Sequence, residues 1–226
     1  MVSTAKKLHT EDYVVVDNIL PEEDYNRIKN YIWSPERDWH LQQDNPDPHN
    51  PENIDPSDTF GLGHLIYHQE FHQSPHNIPP EQQEIVSLFM KEIDKHFYVR
   101  DLIRVRGGLQ PSVADFEGYH PPHVDFPFPH YVALFYMCTE SSGTGCTAVY
   151  KEKDDPYVGQ PHLKTWKHED LTLVDEIQPK ENRALIFKGN VLHSLAPPKD
   201  ISIRIAININ FVGYPREESI EDEQSV

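Results

Sequence analysis

Cysteine is scarce in this chain of 226 residues: Cys138 and Cys146 are the only two. Two thiols make no disulfide framework, so packing must hold the core, and both are expected to be buried and free in a reducing, cytoplasmic setting. Long apolar runs are missing too, and the opening MVSTAKKLHT carries no apolar stretch of the signal-peptide kind. Neither a membrane span nor a membrane partner is therefore expected. Basic residues are in deficit: 20 Lys and Arg stand against 37 Asp and Glu, a formal net charge of −17. Such a chain repels phosphate backbones, which disfavours nucleic-acid binding. The one compact basic run, Arg104 to Arg106, is short. Its two arginines share a face if the segment is extended, where they could meet an anionic substrate or the acidic surface. No internal repeat and no composition break divides the sequence. A single domain over 1–226 is expected, with 1–10 and the acidic 215–226 as mobile tails.

What is present is ordered helices first, strands after. YVVVDNILPEEDYNRIKNYI reads as a short strand, a turn and a helix opening near Pro21, with Glu22, Glu23 and Asp24 suited to a helix N-terminus. Residues 34–63, rich in Pro, Asp and Asn, read as one long loop. PPEQQEIVSLFMKEIDKHF reads as a second helix with Ile85, Leu88, Phe89, Ile93 and Phe97 as its apolar stripe. Beyond it LIRVRGGL, YVALFYMC, CTAVYK, LTLVDEI, RALIFK and SIRIAININF read as strands. In the last of these, Ile203, Ile205, Ile207, Ile209 and Phe211 alternate with Arg204, Ala206, Asn208 and Asn210. A half-exposed strand has this pattern. So does a strand whose apolar face lies under helices while its polar face lines a wet cavity, as in double-sheet jelly rolls of the cupin kind.

Histidine is abundant, with 14 residues, and placement decides what that means. In GYHPPHVDFPFPH, His123 and Asp125 stand at i and i+2, on one face of an extended chain. His193 in NVLHSLAPP is the candidate third ligand. Two histidines and one carboxylate form the facial triad that holds non-haem Fe(II) with coordination positions left open. An H-x-D pair alone occurs often by chance. The ordered set of H-x-D, distal His and then Arg204, on a strand of alternating polarity, is far more specific, because arginine can grip a carboxylate with two parallel bonds.

With these residues in place, the chain resembles the Fe(II)- and 2-oxoglutarate-dependent oxygenases, closest in style to the prolyl 4-hydroxylase group. GYHPPHVDF is similar to that group's Tyr-x-Pro-His-x-Asp segment, VALFYM to its next core strand, and ENRALIFKGNVLHSLAPPKDISIRIAININF to its closing strands. The similarity runs from about Leu102 to Phe211, and VVVDNILPEEDYNRIKNYI resembles the opening strand and helix of such domains. The resemblance implies a mainly β fold with a double-stranded β-helix (jelly-roll, cupin-like) core and N-terminal helices on one outer face. It implies His123, Asp125 and His193 as iron ligands, Arg204 as partner of the 2-oxoglutarate C5 carboxylate, and Tyr136 as a second donor to it. It implies hydroxylation of a C–H bond with O2 as oxidant, succinate and CO2 as products and ascorbate as a supporting reductant. Three positions depart from the group. Arg204 lies slightly further beyond the distal histidine than is common there, Ala206 stands where a serine is frequent, and His120 displaces a tyrosine before Pro122-His123.

The substrate is not written in the motifs. The resemblance favours a peptide or protein side chain; a free amino acid or other small metabolite is the alternative, since one scaffold serves many substrates. A metal-binding cupin-like protein without oxygenase activity is the alternative of another class. Arg106, His120 and Phe126 are candidate substrate contacts at the mouth, with His130 nearby. His64, His68, His72 and His76 recur every four residues. On a helix they would make one stripe, but Pro75, Gly61 and Gly63 argue against that helix, and surface or cavity-lining roles outweigh a second metal.

Overall fold

Strand pairing organises the chain. The computed structural model describes residues 8–9, 12–43, 60–113, 118–138, 144–153 and 166–216. In chain order these form Leu8–His9 (β1), Tyr13–Asp17 (β2), Glu22–Ile32 (α1), His40–Gln43 (β3), Phe60–His68 (β4), Gln69–His72 (α2) and Pro80–Ile93 (α3). The strand-rich half follows with Phe97–Pro111 (β5), Tyr131–Tyr136 (β6), Thr147–Lys153 (β7), Leu173–Ile177 (β8), Arg183–Lys188 (β9), Val191–Leu195 (β10) and Ile203–Pro215 (β11). One sheet has eight strands in the order β1-β2-β9-β6-β11-β5-β4-β3, and the other three in the order β10-β7-β8. This is the expected mainly β, jelly-roll architecture, with antiparallel sheets and few helices.

The helices begin where proline and acidic residues predict. Pro21 precedes α1, whose first turn carries Glu22, Glu23 and Asp24, and Pro80 starts α3. Tyr25, Ile28 and Ile32 of α1 and Ile85, Phe89 and Ile93 of α3 enter one buried cluster with Ile205, Ile207, Ile209 and Phe211 of β11. Each such side chain contributes roughly 1.5–3 kcal/mol on burial. Phe89 meets Phe135 of β6 with ring centroids 4.7 Å apart. The opposite face of β11 points between the sheets, where Ala206 packs with Tyr136, Val149, Leu185 and Phe187. The alternation in residues 203–211 therefore reports a strand under helices on one face and lining the interior on the other. Phe97, expected on the second helix, instead opens β5, and Leu88 is only half-buried.

The 34–63 loop is corrected. His40–Gln43 pairs antiparallel with the start of β4, His40 opposite Gly63 and Gln43 opposite Phe60. Gly61 lets the strand pass close to Gln110, whose Oε1 would lie 3.1 Å from an added Cβ. Residues 44–59 lie outside the described residues. The four-residue histidine spacing is not helical either: His64 and His68 belong to β4, paired along β5, while His72 ends α2 and His76 sits in a short 3-10 turn at Pro75–Asn77. Parts of the stretches expected as tails are paired. Leu8–His9 pairs with β2 and Pro215 still pairs with Phe97. Residues 1–7 and 217–226 lie outside the described residues. Cys138 and Cys146 are free and buried, as expected. No helix among the described residues is long and apolar enough to cross a membrane.

Candidate metal centre

His193 lies on β10, in the smaller sheet. His123 is drawn against it by two backbone bonds, His123 N–H to His193 O at 3.0 Å and His193 N–H to His123 O at 3.1 Å. Residues opposed in this way project their side chains to the same face, and the two rings stand 4.6 Å apart. Asp125, two residues on from His123, joins them. Ligand atoms of His123, Asp125 and His193 all fall within 4.8 Å of one another.

The imidazoles are also oriented. His123 Nδ1 lies 3.1 Å from Pro121 O, and His193 Nδ1 lies 3.2 Å from Val191 O. A carbonyl only accepts, so each Nδ1 carries a proton, and Nε2 is the nitrogen left to face a metal. Burial, with the His123 ring beside it, pushes the His193 pKa down to about 4, so this ring is neutral near pH 7. Burial alone would raise the Asp125 carboxyl, but Arg104 and the two imidazoles overcome it and hold the carboxyl well below its usual range. Two imidazoles and an ionised carboxylate on one face suit a divalent iron with open positions.

Asp125 is held from the larger sheet. Its Oδ2 accepts from Asn208 Nδ2 at 3.0 Å and from Asn210 Nδ2 at 2.7 Å. Arg104 Nη2 stands 3.3 Å from Oδ1, and Arg104 Nε donates to Asn210 Oδ1 at 3.1 Å. Arg104 therefore meets a residue of the triad. The sequence left the face of Asn208 and Asn210 open between solvent and a cavity and did not show this contact, because they lie more than eighty positions beyond Asp125. The Asn208 Oδ1 is buried and unbonded among the described residues, an acceptor left for whatever fills the cavity.

Further along the same face of β11, Arg204 is 6% exposed. Its Nη2 donates to Thr147 Oγ1 at 3.0 Å, its guanidinium lies over the Tyr136 ring at 5.2 Å, and Nε has no partner among the described residues. The Tyr136 hydroxyl donates to the same Thr147 oxygen at 2.8 Å. Tyr136 is fully buried, which pushes its phenol pKa up and keeps it a proton donor. No carboxylate forms an ion pair with Arg204 among the described residues. An interior guanidinium without a counter-charge is costly, and it is a ready receptor for an anion. Thr147, unnoticed in the sequence, joins the two candidate cosubstrate residues; its position just after Cys146 at the start of a strand gave no signal.

The remaining candidates are placed as follows. Phe126 packs under Arg104 at 4.8 Å, 5.3 Å from Phe128 and 6.5 Å from His68, beside the triad. Arg106 is opposite Asn208 in the β5–β11 register, on the cavity face. His120 is buried, with its backbone N–H bonded to Leu195 O at 2.8 Å, and is not among the three clustered ligands. His130 is buried, its Nδ1 2.7 Å from Phe128 O, and it fills the space above Gly189. His64 lies on the helix side of the sheet, 2.8 Å from the Tyr31 hydroxyl and away from the triad.

No family model matches the sequence, and no curated protein matches it. Solved structures do share the fold. A prolyl hydroxylase from Trichoplax adhaerens, in complex with a peptide fragment of the hypoxia inducible factor oxygen degradation domain, aligns over 89% of this chain and 84% of its own at 14% identity, with a TM-score of 0.54. An oxidoreductase of the 2OG-Fe(II) oxygenase family from Burkholderia pseudomallei aligns over 88% and 84% at 9% identity, with a TM-score of 0.52. The epimerase SnoN, in complex with Fe3+, alpha ketoglutarate and nogalamycin RO, aligns over 89% and 78% at 11% identity, with a TM-score of 0.51. The resemblance to the 2-oxoglutarate oxygenases, prolyl hydroxylases among them, thus holds at the level of the fold.

Proposed function

We propose that this chain is an Fe(II)- and 2-oxoglutarate-dependent dioxygenase that hydroxylates a C–H bond of a peptide or protein side chain. The observation that carries the reading is the conjunction of two features along the same strand, β11. His123, Asp125 and His193 offer a metal three converging ligand atoms, and Arg204 is a buried guanidinium with no counter-charge among the described residues. A metal-binding protein without a carboxylate cosubstrate has no use for the second feature. Iron bound there supplies the oxidising chemistry, in which O2 and 2-oxoglutarate are consumed and succinate, CO2 and a hydroxylated product are formed.

The chain's own residues do the holding and orienting. His123 and His193 present Nε2, and Asp125 presents a carboxylate oxygen. Arg204, with Tyr136 and Thr147 beside it, would receive the far carboxylate of 2-oxoglutarate. Phe126, beside Arg104 and the triad, with Arg106 and His120, would contact the substrate. The neighbour that binds a peptide favours a peptide or protein substrate, and the epimerase with nogalamycin RO favours a small molecule as the second reading. The test is succinate formation with Fe(II), ascorbate and 2-oxoglutarate, stimulated by a peptide library or by free amino acids and other small metabolites. His123→Ala and Asp125→Ala should abolish turnover while the apo protein stays folded. Failure of the Mn(II)-loaded protein to bind 2-oxoglutarate would remove the oxygenase reading. Stimulation by small metabolites alone would replace the peptide reading.

A further inference from the structure

We propose that Arg104, Asn208 and Asn210 are positioning residues that hold Asp125 as a one-oxygen ligand. The inference rests on the metal-centre reading and concerns how the carboxylate is aimed. A carboxylate has about four lone-pair sites. At Asp125 the two on Oδ2 are taken by the Asn208 and Asn210 amides, at 3.0 and 2.7 Å. Oδ1 has the Arg104 guanidinium on one side at 3.3 Å, which leaves one direction for a metal. Without these donors the carboxylate is free to turn and chelate through both oxygens, closing a position that a bidentate cosubstrate needs.

The clamp comes from rigid elements. Asn210 stands opposite Arg104 in the β5–β11 register, and the Arg104 Nε bond to Asn210 Oδ1 ties the guanidinium to the amide. Asn210 is fully buried. Asp125 itself lies outside the named strands, in an irregular segment that carries the isolated His123–His193 bridge. Its own backbone does not fix its carboxylate, and the larger sheet does so from across the cavity. Partners of this kind orient metal ligands, and their loss commonly lowers metal affinity about 10–100-fold.

The test is Co(II) titration of the full chain, read by calorimetry and by the intensity of the cobalt d–d bands, with the melting temperature of each apo protein measured alongside. Asn208→Ala should weaken Co(II) about tenfold and change the band intensity, because the coordination number changes, while the apo melting temperature stays near wild type. The Asn208→Ala, Asn210→Ala double variant should lose about a hundredfold. Arg104→Lys should keep more affinity than Arg104→Gln, since charge survives in the first. If Asn210→Ala does not fold, Asn208→Ala still reads the clamp, because its side chain is half-buried and makes no other bond among the described residues. Wild-type affinity and spectrum in Asn208→Ala and in the Arg104 pair would overturn the inference. If Asp125→Ala binds Co(II) as well as wild type, the metal-centre reading itself fails, and this inference with it.

Discussion

Arg204 shows how much one side chain can be made to predict. It is buried, its Nη2 donates to Thr147, and its guanidinium rests on the Tyr136 ring. An anion arriving there gains a charge-assisted pair in a dry place. Arg204→Ala should therefore weaken 2-oxoglutarate binding to the Mn(II) form by about 2–5 kcal/mol, from roughly thirtyfold to several thousandfold, with Mn(II) affinity nearly unchanged. Arg204→Lys should keep part of the binding, as charge remains without the planar fork. Equal affinities across the three proteins would make Arg204 a structural residue and remove the chief support for the cosubstrate site. A second residue-scale prediction falls at Gly189, whose added Cβ would lie 2.2 Å from the His130 ring. His130 is buried and its Nδ1 faces the Phe128 carbonyl, so it cannot simply swing away. Gly189→Ala should cost about 1–3 kcal/mol in urea unfolding, the usual cost of overpacking.

Elements were legible where pattern and packing agree. The isoleucines of β11 alternate because one face lies under α1 and α3, and the helix starts at Pro21 and Pro80 are local chemistry. The strands β3 and β4 were not legible, because their residues carry glycine and polar side chains and form strands by pairing with each other and with β5. In the site, the H-x-D pair and His193 were legible as residue types in order. Thr147, Asn208 and Asn210 were not, since their role depends on which distant strand they meet. The same division between helix layer and cavity makes a prediction for α3. Phe89 is fully buried against Phe135 and belongs to the helix–sheet cluster, on the opposite face of the sheet from the triad. Phe89→Ala should cost about 3–5 kcal/mol in chemical denaturation while leaving Co(II) affinity of the folded protein within about twofold of wild type. A large loss of metal affinity would mean that the layers are coupled across the sheet.

For the whole molecule, charge and protonation act together. The net charge of −17 argues for weak, unproductive contact with duplex DNA, and tight salt-sensitive binding at moderate ionic strength would promote Arg104 and Arg106 to phosphate contacts. The pH profile of stability follows from histidines held neutral inside the fold. Burial holds the His193 pKa at about 4 in the fold, below its ordinary value of 6.5. Burial lowers His64 and His130 in the same direction. Between those two values the unfolded chain binds a proton that the folded chain does not, so stability rises with pH across the window. The contribution of His193 is full above about pH 6.5, declines as pH falls, and is gone near pH 4; it amounts to at most about 3 kcal/mol. Below that, carboxylates held ionised in the fold extend the loss: Asp125 beside Arg104, and Asp17 bonded to Arg183. The apo protein should therefore show a falling urea midpoint from pH 7 to pH 4.5. His193→Gln, which keeps similar bulk without titrating, should flatten that part of the curve. A midpoint constant between pH 7 and pH 5 in the wild type would mean that His193 is solvated or already protonated in the fold, and the neutral, metal-ready imidazole would lose its basis.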